Sequence, residues 1–111
     1  MGPVDLTKER EWKVTDAVMS IEVGEHIPAP FEYSFMKNLL KSARKMVILS
    51  WAAPGQGGIG HVNGQTAEQI VQKMKAWGWA KDEILTMDLK TAATIGYIKR
   101  NVQVFVPHTQ M

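Results

Sequence analysis

In the stretch Glu22-Val23-Gly24-Glu25-His26, two carboxylates and an imidazole stand within five positions. Carboxylates accept protons, and imidazole titrates closest to neutrality, so these are residue types of general acid–base chemistry. The same groups also serve as structure. Glu22 and Glu25 can accept hydrogen bonds from loop N–H groups while His26 packs beneath the next helix. A further arrangement joins His61 to Glu22 and His26, three nitrogen and oxygen ligands of the kind that hold zinc. No two histidines stand at ligand spacing, and the expectation is that the chain holds no metal.

A second cluster lies in "SWAAPGQGGIGHVNGQ", residues 50–65, where Gly55, Gly57, Gly58 and Gly60 follow the apolar run 46–49. A phosphate-binding loop needs Gly-x-Gly-x-x-Gly, or Gly-Lys-Ser/Thr, leading directly into a helix. Here His61-Val62-Asn63-Gly64 intervene before the helix expected near Thr66, and no lysine follows the glycines. The loop therefore reads as bent for another purpose. Either it presents Trp51, Gln56, His61 and Asn63 to a substrate, or its glycines relieve crowded backbone angles. Lys37, Lys41, Arg44 and Lys45 read as a solvated helix face rather than a contact to phosphate backbone. Trp77 falls on an apolar stripe and reads as core, whereas Trp12, isolated among charges, suits an interface.

The elements that must position these groups follow from the apolar spacing. Residues 14–23 alternate as a strand, with Ala17, Met19, Ile21 and Val23 on one wholly apolar face. Pro30, then Phe31, Phe35, Leu39, Leu40 and Ala43, predict an amphipathic helix over 30–44. Residues 46–51 are apolar on both faces, as in an interior strand covered on both sides. Thr66 and Gln69 form a capping box, and Gly78 ends the helix that follows. Asp82 caps a further helix with Ile84, Leu85, Leu89 and Ala92 inward, and residues 101–106 read as the last strand. This order implies an α/β layered fold with right-handed crossovers. Residues 1–13 read as an irregular lead-in, and 107–111 as a tail holding the exposed His108.

Composition narrows the classes. The chain has 111 residues, 45% apolar and 22% charged, which suits one small domain. It has no cysteine, which excludes disulfides, thiolate metal sites and a cysteine nucleophile. A net charge of +2 gives no pointer to nucleic acid. No apolar run approaches a membrane span and no secretory signal opens the chain, so an intracellular, cytoplasmic location is the default expectation.

Three stretches carry a resemblance: "DAVMSIEVGEHIP" (16–28), "FMKNLLKSARKMVILSW" (35–51) and "PGQGGIGHVN" (54–63). Together they resemble a group of class I S-adenosylmethionine-dependent methyltransferases over residues 14–106. In that family a glycine-rich turn after the first strand and an acidic residue ending the second hold the cofactor. The resemblance places "VDLT" (4–7) at the end of the third strand and 16–23 at the fourth. It therefore implies the C-terminal half of a Rossmann-like methyltransferase sheet, with about three to four strands and flanking helices. S-adenosylmethionine is the cofactor implied, with its main binding motif absent and its contacts here unassigned; the family implies no metal. Glu22, Glu25 and His26 are implied as catalytic proton acceptors at the end of the fourth strand. Trp51, Gln56, His61 and Asn63 are implied as substrate-binding groups after the fifth. The sulfonium donor is already activated, so placement would supply most of the catalysis.

The fourth strand of that family lies mid-sheet, beside the first. Without that neighbour, strand 16–23 has a bare edge with no lysine or proline to guard it. The expectation is a homodimer in which this strand pairs antiparallel with its symmetry mate. Two functional readings follow. In one, the chain is an incomplete, self-associating methyltransferase-like module, inactive alone. In the other, it is an active component completed by a missing N-terminal half on a further segment or second chain.

Overall fold

In the computed structural model, which describes residues 15–54 and 61–108, strands and helices alternate around one sheet. Strand β1 (Thr15–Ile21) runs into two short 3-10 turns, Gly24–His26 and Ala29–Phe31, and helix α1 (Glu32–Lys41). Strand β2 (Ala43–Ser50), helix α2 (Ala67–Ala76) and strand β3 (Trp79–Lys81) follow. Helices α3 (Glu83–Ala92) and α4 (Gly96–Asn101) then lead to strand β4 (Val102–Pro107). The sheet order is β1-β2-β4-β3. Strands β1 and β2 are parallel, and β4 is antiparallel to both β2 and β3. This is an α/β domain with a mixed four-stranded sheet, the class and strand number expected. No helix among the described residues is long and apolar enough to cross a membrane.

Strand β2 is interior, as its two apolar faces predict. Val47 pairs with Val18 on one side and Phe105 on the other. On one face, Val47, Leu49 and Phe105 are buried against Phe35 and Leu39 of α1 and Ile70 and Met74 of α2. On the other, Met46, Ile48 and Val104 line an apolar groove with Leu85, Leu89 and Ala92 of α3. Burying such side chains yields about 1.5–3 kcal/mol each, so these two layers supply most of the folding drive.

Three helix signals in the sequence appear as atomic contacts. Gln69 N–H donates to Thr66 Oγ1 at 3.1 Å, and Thr66 N–H to Gln69 Oε1 at 2.8 Å, the reciprocal capping box. Asp82 Oδ1 accepts the Leu85 N–H at 2.9 Å. Gly78, with φ of 89°, turns the chain from α2 into β3.

Other expectations need correction. Helix α1 stops at Lys41 rather than 44, because Ala43 already pairs with Thr15 of β1. Arg44 and Lys45 therefore lie on β2, where Arg44 meets Asp16 in an exposed ion pair at 3.3 Å. In α3, Ile84 is 75% exposed rather than inward. Asp82 N–H donates to the Val104 carbonyl, and Val104 N–H donates to Thr86 Oγ1, extending the β3–β4 ladder. These bonds turn Thr86 onto the sheet, and a residue two positions away on a helix points roughly 200° around. Strand β3 and helix α4 were not expected at all. Lys90 Nζ closes α4 by donating to the Lys99 and Arg100 carbonyls.

Among the described strands β1 has β2 as its sole neighbour, so it forms one edge of the sheet. Its Ala17 and Met19 are exposed, Met19 by 64%.

The capping box gives a direct test of the helix assignment. Thr66→Ala should destabilise the fold by about 1 kcal/mol. Thermal unfolding followed by circular dichroism should show a Tm lower by roughly 4–8 °C for a domain of this size.

Candidate functional site

The C-terminal ends of the parallel strands β1 and β2 open on the same side of the sheet, where open α/β sheets bind ligands. The chain leaves β1 through Glu22, which adopts φ of 53°, a left-handed conformation that side chains other than glycine rarely take. Its N–H donates to the Ser50 carbonyl, so the sharp turn is tied to the end of β2. The Glu22 carboxylate turns away from the other site groups and accepts from Asn101 Nδ2 at 3.0 Å.

The 3-10 turn that follows packs Gly24 onto the face of Trp51. A Cβ at Gly24 would fall 2.3 Å from the Trp51 ring, so no larger residue fits. Trp51 is itself buried at 4% exposure, edge-on to Phe35 with ring centroids 5.8 Å apart. Its indole N–H donates to the Asn63 carbonyl at 2.7 Å. Trp51 thus forms the floor of the site and holds the returning loop.

Glu25 is fully buried. Its main-chain carbonyl accepts the N–H groups of Val62 and Asn63, both at 2.9 Å. Its side chain accepts the Ala52 N–H at Oε2, 3.3 Å away. Oε1 has no hydrogen-bond partner among the described residues. These bonds bring His61 beside His26, with ring centroids 4.7 Å apart in an edge-to-face pair. His26 is exposed and His61 half-buried. The structure therefore gathers Glu25, His26, His61 and Asn63 at one place, with Trp51 beneath. Glu22 stands apart from them, and Gln56 lies outside the described residues.

A second polar network borders this one and was not anticipated. Glu32, at the start of α1, accepts Asn63 Nδ2 at 2.9 Å and Gln65 Nε2 at 2.7 Å on Oε1. Its Oε2 meets Lys73 Nζ of α2 at 2.5 Å. Gln65 also donates to Asn63 Oδ1 at 3.0 Å. Burial alone would raise the Glu32 pKa, but the hydrogen bonds from Lys73, Asn63 and Gln65 and the Lys73 charge outweigh it. The net result is a pKa below the usual carboxylate value. Lys73 follows Glu32 by 41 positions, so no short-range spacing announces the pair.

Two described glycines at the site are closely packed. The space beside Gly24 is filled by Trp51, and a Cβ at Gly64 would meet the Pro54 backbone at 2.9 Å. No family model, curated protein or solved structure matches the chain.

The Glu32 network sets an acid limit on stability. Its folded pKa is depressed, so its contribution is complete above the unfolded value near 4.5 and is lost as pH falls through the lower folded value. Glu32→Gln should be less stable than the parent at pH 7 and should lose less on going to pH 3. Denaturant midpoints measured across that range check both.

Proposed function

We propose that this chain is the acceptor-side half of a methyltransferase-like α/β domain, a module that is incomplete as a catalyst and associates with itself through β1. The observation that carries the reading is the pairing of a polar cluster with a bare edge. The parallel strands β1 and β2 end in Glu25, His26, His61 and Asn63, while the outer edge of β1 has no described neighbour. The resemblance carried by 16–28 and 54–63 places an acceptor cleft at those strand ends and a further strand at that edge.

Within this reading the roles divide by burial. Glu25 is enclosed and ties the loops together, so it positions rather than reacts. His26 and His61 are the reachable groups, able to accept a proton from an oxygen or nitrogen acceptor. Methyl transfer from S-adenosylmethionine would require a cofactor site, which this reading places on the missing half, and no step is assigned through it.

Self-association follows from the edge itself. Among the described residues the outer edge of β1 has no partner strand, and Ala17 and Met19 are exposed on it, a combination that favours pairing with another chain. An antiparallel pair of β1 strands about a two-fold axis satisfies both and continues the sheet through two chains.

At micromolar concentration, sedimentation should give a mass twice the 12.4 kDa chain. Met19→Lys, which adds a charge to the strand, should shift the population to monomer. Calorimetric titration with S-adenosylhomocysteine should give no heat of binding. A stable monomer overturns self-association, and micromolar binding replaces the incomplete module with an active methyltransferase component.

A further inference from the structure

We propose that Glu25, His26 and His61 bind one divalent transition-metal ion of the zinc class. One ligand atom from each lies within 4.8 Å of the other two. Two imidazoles and a carboxylate form a three-ligand set that leaves a position open for an outside ligand. The sequence offered Glu22, His26 and His61 as a ligand set; the structure groups the two histidines with Glu25 instead, while Glu22 Oε1 accepts from Asn101.

The state of Glu25 supplies an independent argument. A fully buried carboxylate is costly unless its oxygens are paired or coordinated. Here one oxygen holds a single 3.3 Å bond from Ala52, and the other has no partner among the described residues. A cation shared with the two imidazoles would satisfy that oxygen.

The backbone prepares the site. Val62 and Asn63, directly after His61, both donate to the Glu25 carbonyl, so two ligands are locked to each other through the main chain. With bonds near 2.1 Å, a tetrahedral ion wants ligand atoms about 3.4 Å apart. The cluster must therefore contract slightly, a movement that falls to the exposed side of the site, where His26 lies. The open position would face the strand ends, where an oxygen or nitrogen of a small ligand can enter. This inference holds whether or not the chain takes part in methyl transfer.

The test uses the full chain, stripped with a chelator and titrated with zinc chloride by calorimetry. Cobalt(II) then replaces zinc to give a visible absorption band. One ion per chain and a tetrahedral cobalt spectrum are expected. His26→Ala and His61→Ala, both away from the core, should each weaken zinc binding more than about tenfold and remove the band. His108→Ala should change neither: β4 runs antiparallel to β2, so His108 lies at the opposite end of the sheet. Failure to bind zinc, or binding that survives in both His26→Ala and His61→Ala, overturns the proposal.

Discussion

The main-chain carbonyl of Glu25 accepts two N–H groups from the returning loop, and its side chain accepts a third from the segment just beyond β2. One enclosed residue thereby joins the exits of both parallel strands. Everything described at the site depends on that clamp. It sets His61 beside His26, brings the Asn63 carbonyl to the Trp51 indole, and delivers Asn63 and Gln65 to Glu32. The clamp is also tightly constrained sterically. Its turn begins with Glu22 in a left-handed conformation and continues through Gly24, pressed flat on Trp51. Strain of this kind persists where surrounding contacts over-determine the backbone, which is common at ligand sites.

Two polar systems share Asn63 as their hinge point. Through its carbonyl it belongs to the Trp51 floor, and through its amide it belongs to the Glu32–Gln65–Lys73 network. The second network spans α1, the loop and α2, so it fastens the helical layer to the loop that carries His61. Charge-assisted hydrogen bonds of this type exceed neutral ones in strength and fix geometry more sharply. A carboxylate with three donors is accordingly a structural anchor.

How much of this was legible depended on the range of the signal. Thr66 with Gln69, Asp82 and Gly78 act within four residues, and their caps and turn were readable from type and spacing alone. The two-faced apolar character of 46–51 correctly marked an interior strand. Strand β3 has three residues, too few to show a period, and exists because β4 offers it hydrogen bonds. Helix α4 has six residues and no side-chain cap, and Lys90 from α3 closes it. The orientation of α3 was misread because Thr86 bonds to the Val104 backbone, a contact no helical wheel contains. At the site, proximity in sequence suggested Glu22 with His26, yet the left-handed turn sends Glu22 towards Asn101. Glu32 and Lys73 carried no local sign of their pairing.

Strand β4 sits between β2 and β3 although it comes last of the four in the chain. Synthesis from the N-terminus therefore releases three strands before the one that joins them. Until β4 emerges, β2 has a single neighbour and β3 has none, so the nascent sheet cannot zip up in the order it is made. Non-local closure of this kind delays folding and prolongs the life of open edges that capture other chains. The vectorial problem for this polypeptide is thus one of timing: its central ladder waits on the last of the described strands to be made.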